Sequence, residues 1–442
     1  MSSWKEYKLG EIATFYNGRA YKNTEFKVSG TPIVRIQNLT GEGKIVYSDL
    51  NLDENKYIDY GDLIYAWSAT FGPYIWKGEK SIYHYHIWKI ICNEELLDKK
   101  YFYYKLKQIS DNLKDSGGNG SIFVHITKAF MENFKVKIPS LNEQKRVSSI
   151  LAYLDEKIQL NTQINQTLEQ IAQTIFKSWF IDFDPVHAKA NALASGQTAE
   201  QATQVAMAVI SGKNTQELHR LQTANPKQYQ QLWEIAEAFP RGFDEEGVPR
   251  GWEMTVVKSV CEKIQNGGTP KRSNKEYWNN GNIPWLSSGE VCNNNILVSS
   301  KEFITQLGLE NSSTKLIEAN STLVALYASP TAGKCSFCAF KATTNQAVCA
   351  LVPKEIYKYF NFYYLQIKEE YYSNQAVGSA QQNISKGIVE NTPILKPDSM
   401  ILSYFNLIVG GLMNKQISNL KENDHLKSIR DELLPKLLSG EI

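Results

Sequence analysis

Apolar residues recur at alternating intervals of four and three through Val147, Leu151, Leu154, Ile158, Asn161, Asn165, Leu168, Ala172, Ile175 and Trp179. That spacing predicts a long helix presenting one seam, a heptad stripe whose two central positions are polar. The stripe returns as Phe405, Val409, Leu412, Gln416, Asn419, Asn423, Leu426, Arg430, Leu433 and Leu437. Proline has no N–H to continue a helix, so the first is expected to end near Asp184-Pro185. The second should kink or fray near Pro435 and stop by Gly440.

Subtracting positions gives a constant 258 over Ile126/Ile384, Lys128/Lys386, Glu132/Glu390, Asn133/Asn391, Pro139/Pro397, Leu154/Leu412, Asn161/Asn419 and Asn165/Asn423. Upstream the offset drifts, to 248 at Trp4/Trp252, 252 at Pro32/Pro284 and 260 at the Phe-Tyr-Tyr runs 102–104 and 362–364, as loop insertions in a duplicated domain would produce. The order is therefore variable unit, helix, variable unit, helix. If the second half repeats the first, the second helix returns along the first, and the pair runs antiparallel about a pseudo-dyad near the four asparagines. About 36 residues at ~1.5 Å each predict a rod of ~50–55 Å with a variable unit at each end. Asn161, Asn165, Asn419 and Asn423 are the expected register-fixing positions, because a polar residue in a helical seam pairs well in only one alignment.

The variable units, 1–140 and 241–397, carry alternating runs such as Thr31–Gln37, Asp62–Trp67 and Thr322–Leu326, which predict short strands. The fold class expected is α/β (α+β) domains in tandem repeat, joined by two long antiparallel helices (141–186 and 398–442) in a coiled coil with internal pseudo-two-fold symmetry. Residues 187–240 have no counterpart. Helix starts at Thr198-x-x-Gln201 and Asn214-x-x-Glu217, another at Pro226 after Asn225, and a stop at Pro240 predict a helical Ala/Gln-rich insertion, with a flexible linker as the alternative.

Composition narrows the class. Of 442 residues, 42% are hydrophobic and 21% charged, which excludes a disordered chain, and six Cys exclude a disulfide scaffold and fit a reducing compartment. The start Met1-Ser2-Ser3-Trp4-Lys5-Glu6 lacks a signal-peptide pattern, and no run reaches the ~18 apolar residues of a membrane span. A cytoplasmic protein is expected. The net charge of +2 leaves nucleic acid open, so any basic face must be local. Residues 1–140 hold 19 Lys and Arg against 16 Asp and Glu, and 241–397 hold 16 against 14, whereas 141–240 and 398–442 are net negative.

Catalytic motifs mostly fail. Ala328-Ser-Pro-Thr-Ala-Gly333-Lys334-Cys335 has Ala where a phosphate loop needs its first Gly and Cys where it needs Ser or Thr. Cys335-x-x-Cys338 lacks a second ligand pair for zinc, and buried or edge cysteines are expected instead. His84 and His86 alternate, which places them on one side of a strand, and since no carboxylate or Cys cluster joins them in sequence a strand-face or DNA-facing role is expected rather than a metal site. Asp182-Phe183-Asp184-Pro185 is superficially like an amino-methyltransferase motif but lacks the second proline and a glycine-rich cofactor loop, and helix termination explains it better.

Polar loops are richer. The first unit offers Asn17, Arg19, Tyr21 and Lys22, then Arg35, Gln37 and Asn38, then Asn119 and Ser121 in Ser116–Ser121, and Lys128. The second offers Thr269, Lys271 and Arg272 after Gly267-Gly268, then Ser287, Ser288 and Glu290, then Ser379, Gln381, Gln382, Asn383, Ser385 and Lys386. Base-edge readout uses these groups: Arg for guanine, Asn or Gln for adenine, Glu for cytosine, with Lys, Ser and backbone amides for phosphate. Any one loop could be turn chemistry, and recurrence in both halves shifts the balance toward DNA.

Ile138-Pro139-Ser-Leu141-Asn-Glu143-Gln144-Lys145-Arg146 with Leu154-Asp155-Glu156-Lys157-Ile158, and Phe176-Lys177-Ser178-Trp179-Phe180, resemble the first conserved helix of the specificity subunits of type I restriction-modification systems. Gly251-Trp252, Gly267-Gly268-Thr269-Pro270, Glu276-Tyr277-Trp278, Ile283-Pro284-Trp285 and Asn345-Gln346-Ala347-Val348 resemble that family's target-recognition domains, and Leu433–Glu441 its ending. The resemblance spans nearly the whole chain. The first unit departs from it, with Asn17-Gly18-Arg19 in place of Gly-Gly-Thr-Pro, and the second helix lacks the Glu-Gln-Lys start, so the two half-sites are expected to differ.

The resemblance implies a non-catalytic subunit that reads a bipartite asymmetric site on double-stranded DNA. It would dock two methyltransferase (modification) subunits and, through them, two ATP-driven restriction subunits. S-adenosylmethionine, ATP and Mg2+ would belong to those partners, with no cofactor on this chain and no membrane. Two alternatives remain at this stage: a duplicated protein-interaction scaffold that does not read DNA, and an undetected enzyme.

Overall fold

The strand Lys5–Lys8 pairs antiparallel with Lys135–Ile138, and Glu253–Val256 pairs the same way with Pro393–Lys396, so each repeat is tied at its two ends. The computed structural model describes residues 4–41, 43–68, 71–116, 126–327, 331–375 and 383–442. It divides into two compact units, 1–159 with 423–442, and 160–422, each taking part of both long helices.

In the first unit an antiparallel sheet runs Ala13–Asn17, Ile87–Cys92, Leu63–Ala66, Gly72–Ile75, and a second runs Val46–Ser48, Thr31–Val34, Ser81–Tyr83, Tyr57–Ile58. In the second unit the order is Cys261–Asn266, Val348–Pro353, Ser321–Ala325, Cys335–Cys338, Ile296–Leu297, beside Glu302–Ile304, Ile283–Leu286, Thr343–Thr344. The duplication reaches single hydrogen bonds. Thr127 caps Lys128–Asn133 by accepting the Phe130 N–H at 3.1 Å, and Ser385 caps Lys386–Glu390 by accepting the Ile388 N–H at 3.3 Å. Lys128 pairs with Glu132 at 3.4 Å and Lys386 with Glu390 at 3.0 Å. Lys8 and Lys258 each donate to the side chain of Asn133 or Asn391 at 3.1 Å.

The heptad stripes form the helices Leu141–Phe180 and Ser399–Ser439, of 40 and 41 residues, and every seam position is buried or half-buried. In the first unit Val147 and Leu151 share a core with Leu434, Leu437 and Leu438, and Arg430 donates to the Asp155 Oδ1 at 2.7 Å. In the second, Asn161 donates to Glu422 at 2.8 Å, Asn419 to the Asn165 Oδ1 at 2.8 Å, and Asn165 to the Gln416 carbonyl at 3.1 Å. Partner numbers fall as helix-one numbers rise, so the helices are antiparallel within each unit. The polar layer extends beyond the expected asparagines to Gln416, which is 3% exposed and reaches Glu169. Phe176, Trp179 and Phe180 then meet Phe405, Phe360 and Trp252 in an aromatic core.

The end of helix one corrects an expectation. Helix one stops at Phe180, because Phe183 takes a left-handed φ of 51°, and Pro185 opens the next helix, Asp184–Ala194, where a first-turn proline gives up no hydrogen bond. Helix two continues past Pro435 without fraying and stops at Ser439, before the left-handed Gly440 (φ 81°), where its end was expected. Three more helices follow Asp184–Ala194. Thr198 and Asn214 cap Ala199–Ser211 and Thr215–Ala224 with the capping boxes their spacing predicts, and Asn225 caps Pro226–Ala238. Lys189, wholly buried, donates to the carbonyls of Ala236, Glu237 and Phe239 at 3.0, 3.0 and 2.7 Å, satisfying a helix C-terminus that would otherwise end in orphan acceptors.

Two strand readings also change. Thr31–Gln37 is a strand only to Val34, since Asn38 turns back to accept the Arg35 N–H at 2.9 Å and starts the helical turn Ile36–Leu39. His84 and His86 lie in the tight connection between Ser81–Tyr83 and Ile87–Cys92, where the short turn brings their rings to 4.9 Å. Among the described residues no helix is long and apolar enough to cross a membrane.

Candidate nucleic-acid interface

Each unit's first sheet strand, Ala13–Asn17 or Cys261–Asn266, runs out into a loop that crosses closely over the second sheet. A Cβ on Gly18 would stand 2.2 Å from the His84 carbonyl oxygen, and one on Gly267 would stand 2.2 Å from the Thr344 oxygen. The backbone bonds correspond: Gly18 donates to Ile87 and Arg19 to Tyr83, Gly267 to Val348 and Gly268 to Thr344. Gly18 thus does in the first unit what Gly267 does in the second, and Arg19 stands where Gly268 stands.

In the first loop Arg19 chelates Glu25 through both terminal nitrogens, at 3.1 and 2.7 Å, and lies 5.3 Å from the Tyr21 ring centre. Tyr21 donates its O–H to the Tyr83 carbonyl at 3.4 Å, and burial pushes its phenol well up. Lys22 and Gln37 are exposed, and the Asn17 carbonyl accepts from Lys56 at 2.8 Å. Arg35 donates to the Lys44 carbonyl at 2.8 Å, while its Nε is buried with no partner among the described residues. Beside Arg19, Trp67, Tyr85 and the two histidines cluster in tilted and edge-on contacts at ring distances of 3.9 to 6.2 Å, and the Trp67 indole donates to the Tyr85 carbonyl. Burial, then His86, then Arg35 pull the His84 imidazole down to about 4, so it is neutral at physiological pH. Trp67 and Tyr85 are members that the choice of polar loop residues missed; the aromatic run Tyr83-His-Tyr-His-Ile-Trp88 signals Tyr85, whereas Trp67 is brought in from a separate stretch of the chain.

The second loop brings Thr269, Lys271 and Arg272 together. Thr269 donates to the Gln346 Oε1 at 2.6 Å, Lys271 is exposed, and Arg272 chelates Glu302 at 2.7 and 2.8 Å while lying 3.8 Å from the Trp278 ring centre and 4.6 Å from that of Trp285. Gln346, Trp278, Trp285, Glu302 and, in the first unit, Glu25 are members that the choice of polar loop residues missed; the carboxylates lie 30 and 6 positions from their arginines.

Other expected contacts are spent inside the fold. Glu290 is 9% exposed and accepts the N–H and O–H of Ser287 and the N–H of Lys301, all at 3.0 Å, so its carboxylate closes a helix cap rather than facing a base. Ser287 and Ser385 are N-caps, Ser288 accepts from Asn345 at 3.4 Å, Lys128 and Lys386 are ion-paired, and Asn38 holds its own turn. Asn383 is half-buried. Asn119, Ser121, Ser379, Gln381 and Gln382 lie outside the described residues.

No group of three or more His, Cys, Asp and Glu positioned to hold a metal occurs among the described residues. Cys335 and Cys338 are buried in one strand, where burial pushes the Cys338 thiol up to about 12 and Cys335 higher, so both stay protonated.

A family model described as type I restriction modification DNA specificity domain matches residues 1–170 and 249–405, one segment in each repeat. The chain belongs to that family. It is 33% identical to the type I restriction enzyme HindI specificity subunit of Haemophilus influenzae, with all of both chains covered. The MjaIX specificity subunit of Methanocaldococcus jannaschii is 26% identical over 77% of this chain and 68% of that protein. A crystal structure of a type I restriction-modification S subunit from M. genitalium superposes with a TM-score of 0.58 at 12% identity, covering 99% of this chain and 96% of that one. It supports the specificity-family fold: tandem mixed helix-and-sheet domains with two long helices. The family's matched segments leave out 171–248, where the four-helix insertion lies.

Proposed function

We propose that the chain is the DNA-reading subunit of a type I restriction-modification complex, and that each repeat reads one half of a bipartite, asymmetric duplex site. The observation that carries this is the pair of family matches, one per repeat, each containing a glycine-crossed loop that ends the same strand and presents an arginine. The net positive charge of 1–140 and 241–397 supports it, since duplex DNA binding draws on phosphate attraction. In this reading 1–140 and 241–397 are the recognition domains and the helices of 141–186 and 398–442 are the spacer. Lys22, Gln37, Lys271, Arg19 and Arg272 carry the DNA contacts, and 187–240 is an accessory helical module.

Bond chemistry then falls to partners. Two methyltransferase subunits with S-adenosylmethionine dock on the helices, and two restriction subunits with ATP and Mg2+ join through them, all in the cytoplasm. The test is domain exchange. Replacing residues 241–397 with the corresponding domain of a relative should change one half of the methylated sequence and leave the other half intact. A change in both halves, or in neither, would contradict modular reading.

A further inference from the structure

The two arginines are held in the same kind of grip. Arg272 places one face over Trp278 at 3.8 Å and gives one N–H of each terminal nitrogen to Glu302. Arg19 lies over Tyr21 and gives the same two groups to Glu25. The supports are themselves anchored. Trp278 and Trp285 donate their indole N–H groups to the Lys271 and Gly268 carbonyls, and Glu302 sits directly opposite Trp285 in the strand pair. Glu25 also accepts the Lys22 backbone N–H at 2.8 Å.

An exposed Arg–Glu pair usually contributes little because both side chains must be ordered to make it. Here the ring fixes the plane of the guanidinium and the carboxylate fixes its rotation within that plane. A guanidinium has five N–H groups in a rigid fork. End-on chelation uses two and leaves a second parallel pair, the Nε–H and the outward Nη2–H. Neither Nε has a partner among the described residues. The contact carboxylate also cancels the charge that draws arginine to phosphate, while leaving its donor geometry intact. A discharged, oriented, two-pronged donor suits a neutral base edge with two adjacent acceptors, and among base edges in the major groove that is guanine O6 and N7.

We infer that Arg19 and Arg272 each read a guanine, one per half-site, and that Glu25 and Glu302 are positioning residues that aim them. This rests on the reading of the repeats as half-site readers. It requires a G·C pair in each half-site. The test is selection from randomised duplexes by the full chain with its methyltransferase partner, for wild type, Glu302→Gln and Arg272→Lys. Both variants should lose discrimination at one G·C position by about 5- to 150-fold, the range for a bidentate base contact. The other half-site and the salt dependence under Glu302→Gln should stay unchanged. Glu25→Gln should do the same in the opposite half-site. Arg272→Lys keeps the charge but not the fork, so it decides the matter if Glu302→Gln fails to fold.

Stronger binding to every sequence with a steeper salt slope in Glu302→Gln would mean that Arg272 is a restrained phosphate clamp, and would overturn the inference. Unchanged sequence preference in both variants would overturn it too, leaving the grip as packing. A wild-type complex that selects no sequence would instead overturn the DNA-reading proposal beneath it.

Discussion

Glu290 and Lys189 show why a polar side chain's type does not reveal its task. Glu290 lies in a polar loop suited to base contact, yet three internal donors at 3.0 Å occupy its carboxylate. Glu290→Ala should therefore lower stability by about 1–3 kcal/mol, the cost of leaving buried donors unmet, and leave the methylated sequence unaltered. Denaturant unfolding and modified-base sequencing check the two halves of that statement. Lys189 makes a pH-dependent contribution. Burial pulls its ammonium down to about 8, with Glu237 opposing and Arg241 assisting. The unfolded lysine keeps its proton to ~10.4, so between these values the unfolded chain binds more protons and stability rises with pH through this group. Lys189→Met should be less stable at pH 7.5, having lost the caps of three carbonyls, and should lack the wild-type gain between pH 8 and 10 in thermal melts. Equal pH slopes in the two proteins would contradict that assignment.

Helices were the most legible elements, because a seam sustained over ten positions and capping boxes at Thr198 and Asn214 are local signals that tertiary context rarely reverses. Short elements were less legible. One side chain, Asn38, diverts the strand that begins at Thr31, and a single left-handed residue, Phe183, moves a helix end ahead of the proline expected to set it. The candidate site divides along the same line. Arg19 and Arg272 were readable from their loops, but Glu302 was not, because its pairing with Arg272 is made by a strand 30 positions away. The proposed spacer role of the helices has its own test. Inserting one heptad in each, near 165 and 423, keeps the seam in phase and adds about 10 Å. The gap between half-sites should then grow by ~3 base pairs at ~3.4 Å each, with half-site sequences unchanged. A folded, active complex that still methylates only the original gap would show that the helices dock partners without measuring DNA.

Taken whole, the chain is a duplicated fold in which the two copies keep their scaffold and differ in their loops. Caps, ion pairs and closing strands repeat between the halves, down to Thr127/Ser385, Lys128/Lys386 and Asn133/Asn391. The loops diverge, with Tyr21 and the Trp67–Tyr85–histidine cluster on one side and Trp278 and Trp285 on the other. Two scaffolds alike and two loops unlike predict one bipartite site with unequal halves. Modified-base sequencing of genomic DNA from cells with and without this gene measures that directly. The expected result is a methylated motif, present only with the gene, made of two different short sequences around an unspecified gap of fixed length. A continuous or palindromic motif, or an identical methylation pattern with and without the gene, would contradict it.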